Sequence, residues 1–234
     1  MQSSGFKLIL FDYDGTLFDT RPAIIHCLRR SFEECGRRVR GRDAVAAAVR
    51  TGATLPDTLL SLDPGLGCDR GALSELVVTY RRLYRDEGTT LLHAFPGTAE
   101  TLRQLHRDGT KCIVISNKGV AAIHRSLAAS GLSALIDFVL GDQPGMPKKP
   151  DPAIVTDLIL SRYRAHRDEI LVVGDTTIDI LFARRSGVTA CWASYGYGEP
   201  EQCRALEPKY EISAITELAP VIFGTDKRAH RLAL

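Results

Sequence analysis

The sequence carries little excess charge of either sign. Thirty Lys and Arg stand against 28 Asp and Glu, a formal net charge of +2. Basic residues cluster only locally, as in Arg37-Arg38-Val39-Arg40, with no long basic run and no interleaved aromatics. A nucleic-acid-binding chain normally shows a stronger basic footprint, so no nucleic-acid partner is expected and these arginines read as solvated faces. Long apolar runs are missing too. The first, Leu8-Ile9-Leu10-Phe11, is too short for a signal peptide or a membrane span, and Met1 to Gly5 before it is polar, so no membrane partner is expected. Paired cysteines are also missing. Cys27, Cys35, Cys68, Cys112, Cys191 and Cys203 form no C-x-x-C pair, and no histidines cluster near them at zinc spacing. Cys112 sits in an apolar run, where a thiol behaves as a small hydrophobe. A reducing cytoplasm is the expected compartment. No repeat or low-complexity segment is visible.

What is present is ordinary globular material. The 234 residues are 44% hydrophobic and 25% charged, enough for a sizeable core without a metal or disulfide staple. Apolar runs at Leu8–Phe11, Cys112–Ile115, Phe138–Leu140 and Ile170–Val173 lack polar alternation, the pattern of strands buried on both faces; Ala190–Ala193 is a weaker fifth. Helical spacing fills the gaps: Leu102 and Leu105 behind a capping Thr98; Val120, Ile123 and Leu127 before Gly131; Val155, Leu158 and Ile159 behind Pro152; Ile178, Leu181 and Phe182 before Gly187. The alternation predicts an α/β fold, a Rossmann-like, mostly parallel sheet flanked by helices.

The stretch between the first two strands is too long for one crossover and reads as all helix. Thr20 is expected to cap a segment carrying Pro22, Ile25, Leu28 and Phe32 and ending at Gly36. Helices are expected over Asp43–Arg50, around Leu55 and Leu59, and over Asp69–Asp86, the last with Leu73, Leu76, Val77, Tyr80 and Leu83 on one face. Residues 19–90 could simply pad one face of the sheet, but their position directly after the first strand favours an inserted helical cap, with residues 1–18 and 91–234 the α/β core.

Ligands of a parallel sheet bind beyond the carboxyl ends of its strands. Four strands end in polar chemistry: Asp12-Tyr13-Asp14-Gly15-Thr16, Ser116-Asn117-Lys118, Gly141-Asp142 and Gly174-Asp175-Thr176. Asp12 and Asp14 alternate, so they can share one face and divide the work of nucleophile and proton carrier. Gly15 permits a tight turn. A calcium loop counted from Asp12 would need Gly at its sixth position and Glu at its twelfth, where Leu17 and Ala23 stand. As mere turn formers the two aspartates would need no second acidic site, yet Asp175 and Asp179 supply one at helical spacing, whose plainer role is to complement a helix dipole. With Asp12 they make an oxygen-rich set suited to Mg²⁺. Ser116 and Asn117 offer donors for phosphoryl oxygens, and Lys149 offers a charge, with Lys148 as its competitor.

These segments resemble, in order, the four signatures of the haloacid dehalogenase superfamily: Asp12-Tyr13-Asp14-Gly15-Thr16-Leu17, Ser116-Asn117-Lys118, Lys149-Pro150-Asp151-Pro152 and Gly174-Asp175-Thr176-Thr177-Ile178-Asp179. The helical insert resembles that superfamily's first cap type. The resemblance implies Asp12 as nucleophile and metal ligand, and Asp14 as acid/base with its backbone carbonyl on the metal. It implies Asp175 as a further ligand and Asp179 in support behind it. Ser116, Asn117, Lys149 and Thr16 are expected around the phosphate, with Lys149 preferred to Lys148. The implied cofactor is Mg²⁺ and the implied partner a small phosphorylated metabolite, hydrolysed through an aspartyl-phosphate. Dehalogenases of the superfamily lack the second Asp of the pair, which is present here as Asp14. Phe95-Pro96-Gly97, Gly141-Asp142 and the chain length are similar to phosphoglycolate phosphatases, which makes phosphoglycolate the leading substrate expectation. A phosphosugar mutase, a nucleotidase and, more remotely, a non-catalytic binding protein are the alternatives. Arg50, in the cap segment Arg50-Thr51-Gly52-Ala53-Thr54, is expected either to pair with a substrate carboxylate or to be an exposed helix end. Oligomeric state is left open, and the tail Thr225–Arg231 is assigned no function.

Overall fold

The computed structural model describes residues 5–39 and 41–224. The expectations for Met1–Ser4, Arg40 and Thr225–Arg231 lie outside those residues.

The chain opens with β1 (Leu8–Phe11) and a two-residue strand, β2 (Phe18–Asp19). Four helices follow: α1 (Arg21–Glu34), α2 (Arg42–Val49), α3 (Leu55–Leu62) and α4 (Arg70–Asp86). A second short strand, β3 (His93–Ala94), precedes a regular alternation. Its elements are α5 (Thr98–Arg107), β4 (Lys111–Gly119), α6 (Val120–Ala129), β5 (Phe138–Asp142), α7 (Leu160–Tyr163), β6 (Ile170–Gly174), α8 (Thr177–Ser186), β7 (Thr189–Ala193), α9 (Pro200–Arg204), β8 (Tyr210–Ile212) and α10 (Leu218–Phe223).

Among the described residues the main sheet has six strands in the order β5-β4-β1-β6-β7-β8. Every pairing is parallel, with Phe11 opposite Val114 on one side and Val173 on the other. The apolar runs become strands because both faces are covered. Ile9 and Phe11 join one buried cluster with Val114, Leu171 and Val173, which continues into Leu28, Phe32, Leu59 and Leu83 of the helical insert. Leu8 and Leu10 join the other with Ile113, Val172, Ile154, Val155, Ile159 and Phe182. Each such side chain contributes about 1.5–3 kcal/mol on burial, and truncating Leu10 or Ile9 to Ala would cost about 2–5 kcal/mol.

Several local expectations are corrected. Thr20 is the N-cap residue of α1, but its hydroxyl makes no cap bond and donates to Asp14 instead. The N-cap of α5 is Gly97 in the left-handed region at φ 85°, while the Thr98 hydroxyl donates to the Leu17 carbonyl. The helix expected behind Pro152 begins as wide π turns over Ile154–Ile159 before tightening into α7. Asp175 is not on a helix: it lies in the turn before Thr176, the N-cap of α8. The ribbon of β2 and β3, antiparallel through Phe18 opposite Ala94, was not foreseen, nor were the short β8, α9 and α10. All six cysteines are free thiols. No helix of the described residues is long and apolar enough to cross a membrane.

Candidate active site

The strand order reverses about β1, so the chain ends of β1, β4 and β6 open on one crevice. Asp12 follows β1 directly, and its N–H donates to Val173 O at 2.8 Å. The chain then turns sharply: Leu17 and Phe18 N–H both reach Tyr13 O, and Gly15 N–H reaches Phe18 O. Gly15 has φ 83°, a conformation side chains resist, and a Cβ there would also collide with Asp175 Oδ2. The turn can approach Asp175 only as glycine.

Lys149 is the cation of the site. Its side chain is 4% exposed, and Nζ donates to Asp12 Oδ1 at 2.5 Å and to Asp179 Oδ1 at 2.6 Å. Asn117 locks its backbone, accepting from Lys149 N–H at 3.0 Å and donating to Lys149 O at 3.1 Å; its amide also donates to Gly52 O of the insert. Both ends of the Asn117 amide are thereby committed, so its side chain positions Lys149 rather than standing free for phosphate. Ser116 Oγ accepts from Lys118 N–H at 3.3 Å. Lys148, by contrast, pairs with Asp142 and is 43% exposed.

Asp175 is fully buried. Oδ1 accepts from Thr16 Oγ1 at 3.1 Å, Oδ2 from the Tyr197 N–H at 2.7 Å, and its carbonyl from Trp192 Nε1 at 2.9 Å. Gly196 has no room for a Cβ against Asp175. Asp179 is the third residue of α8, and its Oδ2 accepts from both the N–H and the hydroxyl of Thr176 in a capping box.

Asp12, Asp175 and Asp179 each offer a carboxylate oxygen, all within 4.8 Å of one another. Among the described residues one ammonium, Lys149, stands against these three negative charges. The deficit equals the charge of one divalent cation. Burial pushes the Asp12 carboxyl up to about 7, against the pull of Lys149, and raises Asp175 well above the ordinary carboxylate range. Burial lowers the tendency of Lys149 to hold its proton, but Asp12 and Asp179 more than reverse this. A buried, charge-deficient set of hard oxygens fits Mg²⁺, whose opposite ligands at about 2.0–2.1 Å stand roughly 4 Å apart. Asp14 lies on the other side of this balance: Oδ1 accepts from Thr20 Oγ1 at 2.5 Å and from Lys118 Nζ at 2.9 Å.

A cavity of about 1000 Å³ opens over these groups, lined among others by Asp12, Asp14, Ser116, Asn117, Lys149 and Asp179. Thr16 and Arg50 are not among its lining residues. Thr16 is fully buried beneath it, holding Asp175 with its hydroxyl and Tyr195 with its carbonyl. Arg50 pairs with Glu199 at 3.1 Å and is half exposed.

Against this geometry, the profile of the haloacid dehalogenase-like hydrolases matches residues 9–193. The chain belongs to that family. Among curated relatives it is 28% identical over 228 residues to a phosphoglycolate phosphatase of Vibrio parahaemolyticus, covering 95% of this chain and 98% of that one. It is 26% identical over 216 residues to the pyrophosphatase PpaX of Halalkalibacterium halodurans, covering 92% and 95%. A haloacid dehalogenase-like hydrolase of Streptococcus pneumoniae shares the fold at TM-score 0.80, with 23% identity over 94% of this chain and 99% of that chain.

Three features escaped the sequence reading. Lys118 was visible in its segment but had no assigned partner. Tyr197 joins Asp175 to the start of α1: its hydroxyl accepts from the N–H groups of Thr20 and Arg21 and donates to Asp19. The run Tyr195-Gly196-Tyr197-Gly198, with its glycines marking close backbone approach, was the available signal. Arg81, Arg82 and Arg85 of α4 and Arg125 of α6, to which the sequence reading gave no role, also line the cavity.

Proposed function

We propose that this hydrolase is a Mg²⁺-dependent phosphatase acting on a small phosphomonoester, with phosphoglycolate the leading substrate. The carrying observation is the placement of Lys149 between Asp12 and Asp179 on the floor of the cavity. A nucleophilic carboxylate needs a fixed cation and donors around the phosphoryl group it attacks. The names of the curated relatives support the same class of reaction.

In this reading Asp12 attacks phosphorus, the P–O bond to the leaving group breaks, and an aspartyl-phosphate forms. Lys149 and the Ser116 hydroxyl hold the phosphoryl oxygens. Asp14 gives a proton to the departing oxygen, then takes one from the water that cleaves the intermediate and regenerates Asp12. Asp12, Asp175 and the Asp14 backbone carbonyl would hold Mg²⁺, with the Asp179 carboxylate adjoining them. When bound, the ion neutralises phosphoryl charge and fixes the phosphate for in-line attack. Thr16 serves by orienting Asp175.

Residues 19–90 form the cap over residues 1–18 and 91–234, with the ribbon of β2 and β3 carrying both crossings. The free thiols suit a cytoplasmic setting. Release of inorganic phosphate from a panel of phosphomonoesters tests the reading: turnover with Mg²⁺ and none in excess EDTA is expected. Full turnover in EDTA contradicts the metal's role.

A further inference from the structure

Lys118 is a buried cation that the proposed reaction does not use. It follows Ser116 and Asn117 in β4, and its side chain is 9% exposed yet lines the cavity. Its ammonium lies 4.1 Å from the centroid of the Tyr84 ring and 5.8 Å from that of Tyr13, a platform that suits a cation. Asp14 Oδ1 is its one ion-pair partner among the described residues. An ammonium has three donors, and one is spent. Arg81, Arg82, Arg85 and Arg125 also line the cavity. The Tyr84 hydroxyl is buried without a hydrogen-bond partner among the described residues.

We propose that Lys118 reads a second anionic group on the leaving group while holding Asp14 in place. This rests on the phosphatase reading above and names its substrate class. Both bonds to the Asp14 carboxylate fall on Oδ1, from Thr20 and Lys118, which leaves Oδ2 for the departing oxygen. The distances then limit how far away the second anion can sit. Lys118 Nζ is 2.9 Å from Asp14, and Asp14 must come within about 2.7 Å of the leaving oxygen. Another charge-assisted hydrogen bond of about 2.8 Å carries the ammonium to the anion. The second anion can therefore lie no more than about 10 Å from the ester oxygen, and where that path folds back around Asp14 it lies only a few bonds away. The substrate class is a short phosphomonoester whose leaving group bears a carboxylate or a second phosphoryl group next to the carbon that carries the ester. A neutral alcohol of the same size leaves the remaining Lys118 donors unmatched, and that mismatch is the source of the selectivity.

The test compares 2-phosphoglycolate with 2-hydroxyethyl phosphate, which replaces the carboxylate by a neutral hydroxymethyl group. The readout is the ratio of kcat/KM for the two esters with saturating Mg²⁺. The wild type is expected to favour 2-phosphoglycolate by about 30-fold or more, the scale of one buried charged hydrogen bond. In Lys118→Met the ratio should collapse to within about threefold of unity, while Lys118→Arg should retain a preference. An unchanged ratio in Lys118→Met overturns the inference and leaves the phosphatase reading standing. A wild type that releases phosphate from neither ester overturns both. Product inhibition of the wild type reads the same contact without a variant: glycolate should compete with substrate where equal ethylene glycol does not, and equal inhibition by the two overturns the inference.

Discussion

The Tyr197 N–H lies 2.7 Å from Asp175 Oδ2, while the hydroxyl of the same residue sits against the first residues of α1. One residue, through its backbone and its hydroxyl, thus ties a buried acid of the site to the point where the helical insert begins. The Arg21 guanidinium closes over its ring, 4.2 Å from the centroid.

Tyr197→Phe keeps the backbone bond to Asp175 but strips the buried Thr20 N–H of its partner and leaves the Arg21 N–H and the Asp19 carboxylate only their own 3.3 Å contact. Stability should fall by about 1–3 kcal/mol, the cost of leaving buried polar groups unpaired. In steady-state kinetics KM should rise more than kcat falls, because the insert loses its anchor while the chemical groups stay in place. A variant with unaltered melting temperature and unaltered KM would contradict the link.

Removing Mg²⁺ should make stability depend on pH in a definite direction. A carboxylate whose folded pKa lies above its unfolded value keeps a proton that the unfolded chain has released, so stability falls as pH rises through that interval. For Asp12 the interval runs from the ordinary 3.8 to about 7. Denaturant midpoints in EDTA should therefore decrease as pH is raised across it. Saturating Mg²⁺ should reverse the slope, adding about 2.7 kcal/mol at a free concentration one hundred times Kd. A midpoint in EDTA that rises across the same interval would contradict the charge imbalance among Asp12, Asp175 and Asp179.

The adjacent lysines should behave oppositely. Lys149→Met removes the cation bonded to Asp12 and Asp179 and should lower kcat by at least about 10³-fold, on the scale of losing a principal electrostatic group. Lys148→Met loses only a half-exposed pair with Asp142, and activity should stay within about threefold. Equal losses in the two variants would refute the assignment.

The sheet was legible because strands buried on both faces print as unbroken apolar runs, as Leu8–Phe11 and Ile170–Gly174 do. Asp12, Asp175 and Asp179 were legible because strand ends and a helix start fix where they fall. Short elements such as Tyr210–Ile212 and the β2–β3 ribbon hold too few residues for any periodicity to register. Side-chain pairing was less accessible still. Thr16 looks from sequence like a group facing phosphate, yet its hydroxyl serves Asp175. Arg50 looks like a group facing substrate, yet it is drawn to Glu199, more than a hundred residues away. Lys118 pairs with Asp14 across a similar separation, which no local pattern encodes.

In the proposed reaction Asp12 carries the phosphoryl group. Phosphate release from 2-phosphoglycolate by Asp12→Asn, measured beside wild type with saturating Mg²⁺, tests it most directly. A fall of at least about 10⁴-fold is expected, with the circular dichroism spectrum unchanged. Turnover comparable to wild type in the folded variant would contradict it.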